Sequence, residues 1–262
     1  MFSDLAADFC TENSLKGVRV ETKRYGEITE RKVEIFTRQG AEILGKPCGK
    51  YFSVEVPFGT LPTLPLTLRL QNLFFQQVVK NISKGERLLI VGFGNGNLAC
   101  DALGNLVLNR LITGKGEREI ITLKAGVEGV TGLQSTRHVS AVVKEISPCA
   151  VLCIDALVGA EFSRIGSVFQ LTDAGLAPGS GTGIRTQAVN KNTLGVPVFS
   201  VGVPLAVPYF LGEEKGEKYV VCPREIDLTV RRVAQVLGDA LNLAFHPNLS
   251  LRDLALAPIS FF

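Results

Sequence analysis

A chain of 262 residues is long enough to bury a substantial core, as one large domain or as one domain with an extension. Hydrophobic residues make up 46% and charged residues 20%, the balance of a soluble globular protein, and a net charge of +3 without a basic block indicates no dedicated nucleic-acid surface. No apolar run approaches membrane-spanning length and the first ten residues lack a signal-peptide pattern, so a cytoplasmic location is expected.

Residues 17–23 and 29–37 alternate apolar and polar positions, with Gly26 between them. VRVETK and KVEIFT therefore predict a half-solvated antiparallel hairpin, and YFSVEV at 51–56 a third such strand. Pro57, Pro62 and Pro65 then break the chain. Leu70, Phe74, Val78 and Ile82 recur at helical spacing, which predicts an amphipathic helix over 68–82. The runs LLIV at 88–91 and VLCI at 151–154 read as strands buried on both faces, as in the centre of a parallel sheet.

Further strands are predicted at 120–123, 167–171 and 198–203, with helices at 135–146 and 226–245, the last ended by His246-Pro247. Leu103, Val107 and Leu111 mark a helix opened by Asp101. Strands alternating with helices from residue 87 onward imply a mostly parallel sheet with helices on both faces, a three-layer α/β/α arrangement. The N-terminal hairpin is expected to extend or cover one edge.

Two segments carry candidate chemistry. RLLIVGFGNGNLACDALG at 87–104 and AVLCIDAL at 150–157 are apolar runs that lead to an aspartate followed by Ala-Leu. In an open α/β sheet function sits beyond the carboxyl ends of the strands, which places Asp101 and Asp155 at one crevice. A carboxylate at the end of an apolar strand is costly unless solvated or hydrogen-bonded. Two carboxylates that share a site share a proton, so that one activates water while the other protonates a peptide carbonyl.

Competing readings are weaker. GFGNGN at 92–97 lacks the third glycine of a dinucleotide fingerprint, and no acid stands at the required distance. Its glycines, Gly94 among them, suit a tight turn that brings backbone N–H groups to a substrate, and Asn95 and Asn97 can offer side-chain amides. Asp101 alone would pass for a helix cap. The six cysteines contain no C-x-x-C pair and read as buried free thiols in a reducing compartment. Cys100 with His138 is a possible nucleophile site, and the carboxylates with His138 a possible metal site. Asp173 precedes a Gly-rich loop, AGLAPGSGTG at 174–183, in which Gly179 and Ser180 suit a flap over an extended peptide.

At these residues the chain resembles the germination protease family, endopeptidases of spore-forming bacteria. VGFGNGNLACDALGN at 91–105 matches the family's V-G-L-G-N-W-N-x-T-P-D-A-L-G-P, and KAGVEGVTGLQST at 124–136 matches A-P-G-V-x-G-x-T-G-I-E-T. IDALVGA at 154–160, DAGLAPGSGTG at 173–183 and LGVPVFSVGVPLAV at 194–207 follow the family pattern in the same order, and SDLA at 3–6 resembles its T-D-L-A. The resemblance implies an atypical aspartic endopeptidase, with the catalytic acids at Asp101 and Asp155 and no metal or cofactor. It implies a phosphorylase/hydrolase-like fold as in hydrogenase-maturation proteases, small acid-soluble spore proteins as substrates, and a homotetramer working in the spore core.

The chain departs from the family at Gly96, where the family has tryptophan, at Ala99-Cys100 and Asn105, and within 158–160. It starts close to the family's mature N-terminus, so no propeptide-controlled activation is expected. One peptidase domain is expected over 1–262, with a hairpin-and-helix extension at 1–84, a catalytic core at 85–245 and a tail at 246–262. A metal-assisted protease on the same scaffold and an inactive binding relative are the alternatives.

Overall fold

The computed structural model describes residues 3–10, 15–61, 63–179, 187–211 and 217–256. Its strands are β1 (Val18–Tyr25), β2 (Ile28–Ile35), β3 (Gly49–Glu55), β4 (Arg87–Phe93), β5 (Glu119–Gly126), β6 (Ala150–Val158), β7 (Val168–Thr172), β8 (Val198–Leu211) and β9 (Glu217–Val221). They form one sheet in the order β1-β2-β3-β7-β8-β6-β4-β5, with β9 paired to the far end of β8. The centre, β8-β6-β4-β5, is parallel, while β7, β3, β2 and β1 continue it in antiparallel fashion.

The two-faced burial of the central strands follows from their sequence. Leu88 and Ile90 of β4 and Leu152 and Ile154 of β6 face one side, against Leu103 and Val107 and the helix Ile226–Phe245. Leu89 and Val91 with Val151 and Cys153 face the other, against Val139 and Val143 of the helix Ser135–Ile146. Helices on both faces of the sheet make the three layers α/β/α. Leu66, Leu70 and Phe74 of the helix Thr63–Gln77 join the first side; the helix starts and ends about five residues before the expected 68–82.

The N-terminal hairpin extends the sheet rather than covering it. Its turn is tight, with Tyr25 opposite Ile28 and Gly26 at φ +61°. Val18, Val33, Ile35 and Tyr51 form a third apolar cluster with Ala6 and with Leu44 of the helix Arg38–Leu44. Among the described residues no helix is long and apolar enough to cross a membrane.

The connections fix where the sheet opens. From β4 the chain crosses to β5 through the helix Leu103–Leu108 on one face, then returns past β4 to β6 through Ser135–Ile146 on the other. The chain therefore leaves β4 and β6 in opposite directions, the divergence at which open α/β sheets place their sites.

Candidate active site

Asp101 and Asp155 both come to this divergence. Asp155 does not end its strand: β6 runs on through it to Val158, paired with β8 by Asp155 opposite Gly202 and with a register shift between Leu157 and Val158. Asp101 closes a short 3-10 turn, Ala99–Asp101, after the loop that leaves β4. Its side chain does not cap a helix. Instead the Asn95 N–H donates to the Asp101 carboxylate at 2.7 Å.

The loop is shaped around that acid. Gly94 has φ +99°, and a Cβ there would stand 2.0 Å from the Asp101 carbonyl oxygen. Only glycine meets both demands. The Asn95 side chain accepts from the Asn97 N–H at 3.0 Å, so it braces the turn. Asn105 donates from its side chain to the Gly94 carbonyl at 3.1 Å, a support that sequence reading passed over. A Cβ on Gly96 would meet Asn105 Nδ2 at 3.4 Å, so two of the departures from the family pattern are neighbours in space.

Gly104 seats the helix that follows. A Cβ there would lie 2.5 Å from the Phe93 carbonyl oxygen and 2.8 Å from that of Ile154. The helix start thus rests directly on the backbones of β4 and β6, which is the physical need behind D-A-L-G.

The two acids are electrostatically unequal. Burial raises the pKa of Asp101, and the Asn95 amide opposes that rise. Asp155 is pushed up well above the ordinary carboxylate range, first by burial, then by the charges of Asp101 and Asp4, with the Ala156 N–H opposing. That amide donates to the Asp155 carboxylate at 2.9 Å. Both carboxyl groups are thus raised by burial, and the charges of neighbouring acids add to the rise at Asp155.

Other candidates fall elsewhere. Asp173 accepts from the Lys50 N–H at 2.7 Å. Because β7 runs antiparallel to β8, with Gln170 opposite Gly202 and Thr172 opposite Ser200, Asp173 lies away from the Asp155 end of the sheet. Gly175 is not a free joint either, since a Cβ there would stand 2.2 Å from the Val189 carbonyl oxygen. Gly179 has φ +75°, and Ser180 with the loop to 186 lies outside the described residues.

Cys100 is no activated nucleophile: burial first, then Cys222 and Asp101, push its thiol up to about 11. A thiol that holds its proton is a poor nucleophile. His138 turns its Nδ1 to the Ala125 carbonyl at 3.3 Å. Among the described residues no group of three or more His, Cys, Asp or Glu side chains is placed to hold a metal ion.

Asp101, in the loop after β4, and Asp155, on β6, are brought near enough for the charge of the first to bear on the second. The sequence profile of the germination protease family matches residues 4–210. The germination protease of Clostridium acetobutylicum is 29% identical, covering 96% of this chain and 97% of its own length. That of Caldanaerobacter subterraneus is 27% identical over 95% of this chain and 94% of its own. That of Bacillus subtilis is 31% identical, over 74% of this chain and 57% of its own. The chain belongs to the germination protease family, a family of peptidases. Among solved structures, the [NiFe] hydrogenase maturation protease HycI of Thermococcus kodakarensis superposes with a TM-score of 0.39 at 20% identity, covering 66% of this chain and 98% of its own.

Proposed function

We infer that this protein is an endopeptidase that hydrolyses small acid-soluble spore proteins in the spore core, with Asp101 and Asp155 as its acid–base pair. The observation that carries this reading is that Asp101, tied to the Asn95 N–H in the loop after β4, lies close enough to Asp155 on β6 for its charge to bear on that acid. Asp101, held toward its anion by the Asn95 amide, takes a proton from a water molecule. Asp155, holding its proton, gives it to the oxygen of the scissile carbonyl as the water oxygen bonds to carbon. When the tetrahedral intermediate breaks, Asp101 passes its proton to the leaving nitrogen and the former carbonyl oxygen returns one to Asp155. The pair ends as it began, with one water consumed.

The germination proteases of the named organisms support the substrate class, and the motif order over most of the chain supports the assignment of the acids. Assembly as a homo-oligomer belongs to the same reading and is read by sedimentation. The test of the reaction is digestion of a purified small acid-soluble spore protein in the presence of EDTA. Internal cleavage that persists in chelator supports two acids acting alone. Cleavage abolished by chelator and restored by zinc replaces this reading with a metal-assisted one, and absence of cleavage with or without zinc leaves a binding relative.

A further inference from the structure

The stretch from residue 3 to residue 9 lies outside the sheet, yet it is firmly seated. Leu5 and Ala6 are fully buried. The Ala6 N–H donates to the Gln170 side chain at 2.8 Å, and that side chain donates back to the Asp4 carbonyl at 3.3 Å. Asp8 receives the Ser3 hydroxyl at 2.6 Å and pairs with Arg164 at 2.9 Å. Lys46 donates to the Ser3 carbonyl at 2.8 Å. These anchors hold the segment independently of the Asp4 carboxylate.

Within that frame Asp4 meets the active strand twice. Its N–H donates to the Val158 carbonyl at 2.8 Å, and its carboxylate accepts from the Val158 N–H at 2.9 Å. Val158 is the last residue of β6 and lies at the register shift just beyond Asp155. Both bonds therefore fix the irregular end of the strand that carries the acid.

We propose that Asp4 is a positioning residue for the hydrolysis: its carboxylate clips the end of β6 and sets a fixed negative charge beside Asp155, so that Asp155 rather than Asp101 carries the shared proton. The proposal rests on the paired-acid reading. The groups whose charge bears on Asp155 are Asp101, from the loop after β4, and Asp4, from the N-terminal segment. Cys153, on its own strand, is raised by burial and by Asp155 and stays neutral. Among the described residues no cation acts on Asp155. Lys46 is the cation near Asp4; burial lowers it, while Asp4 and Asp8 raise it. A charge that reaches Asp155 without acting on Asp101 separates the two acids, as unequal surroundings do in other carboxyl pairs.

The test is the pH profile of kcat/KM for the full chain on a small acid-soluble spore protein, comparing wild type with Asp4→Asn and Asp4→Glu. Asparagine keeps an oxygen for the Val158 N–H and removes the charge. For Asp4→Asn the alkaline limb moves to lower pH, with a loss on the order of three-fold on that limb, while the acid limb stays in place. Asp4→Glu, which keeps the charge, retains the wild-type alkaline limb. A purely structural role lowers activity evenly at all pH and leaves both limbs fixed, and that result, or superimposable profiles, overturns the proposal. If Asp4→Asn does not fold, Asp4→Ser, read on the same limb, decides. Failure of the paired-acid reading shows separately, as activity retained by Asp101→Asn or Asp155→Asn.

Discussion

The main-chain N–H of Asn95 donates to the Asp101 carboxylate at 2.7 Å, whereas Asp155 is met by the charges of Asp101 and Asp4. Each acid accepts one main-chain N–H, Asp101 from Asn95 and Asp155 from Ala156, but only at Asp155 do neighbouring negative charges add to burial in favouring the acid form.

A cost in stability follows for Asp155. Its folded-state pKa lies above the unfolded value, so the native chain holds a proton that the unfolded chain releases. Stability is therefore lost as pH rises from the ordinary carboxylate range through the raised value. Asp155→Asn removes this term. Its thermal midpoint should exceed that of wild type near about pH 7, and the gap should close as pH falls to about 4. A variant less stable than wild type at neutral pH would contradict the assigned burial of charge.

Gly104 provides a steric test of how the pair is seated. Gly104→Ala places a methyl group 2.5 Å from the Phe93 carbonyl oxygen, so the helix must lift from β4 and β6. The expected loss in urea unfolding is about 1–3 kcal/mol, accompanied by reduced turnover. Full stability and full activity would show that the contact is not needed.

Much of this arrangement was legible in the sequence, and the exceptions have physical causes. The runs at 88–91 and 151–154 announce central strands because burial on both faces leaves no polar alternation, and the helices Ser135–Ile146 and Ile226–Phe245 show their apolar periodicity. The helix Arg38–Leu44 was missed because it is short and its start depends on the Thr37 side chain accepting from Gly40. The far half of β8 was missed because its pairing is with β9, a strand that the sequence reading did not assign. The direction of β7 was not legible, because a strand's direction is not written in its residues: it is antiparallel to β8 and carries Asp173 away from the Asp155 end of the sheet. Asp4 went unweighed because S-D-L-A says nothing of Val158, 154 positions later.

Asn105 is the side chain that ties the Asp101 loop down, through the Gly94 carbonyl at 3.1 Å. Asn105→Ala should cost about 1 kcal/mol of stability and lower kcat several-fold with both limbs of the pH profile unmoved. A displaced pH profile would mean that Asn105 acts on the acids' charges instead.

Gly96 is exposed, and a Cβ there has Asn105 Nδ2 as its nearest neighbour, at 3.4 Å. Gly96→Trp, which restores the family residue, should fold with stability within about 0.5 kcal/mol of wild type and alter KM for the protein substrate more than kcat. A loss above about 2 kcal/mol would show that the loop and Asn105 have adapted to glycine.

The most direct measurement is the turnover of Asp101→Asn and Asp155→Asn on a small acid-soluble spore protein, in EDTA, with folding verified by circular dichroism. Each substitution removes one acid–base group, and each should lower kcat by on the order of a hundred-fold or more while wild type cleaves internal peptide bonds. Wild-type turnover by either folded variant would contradict the paired-acid mechanism.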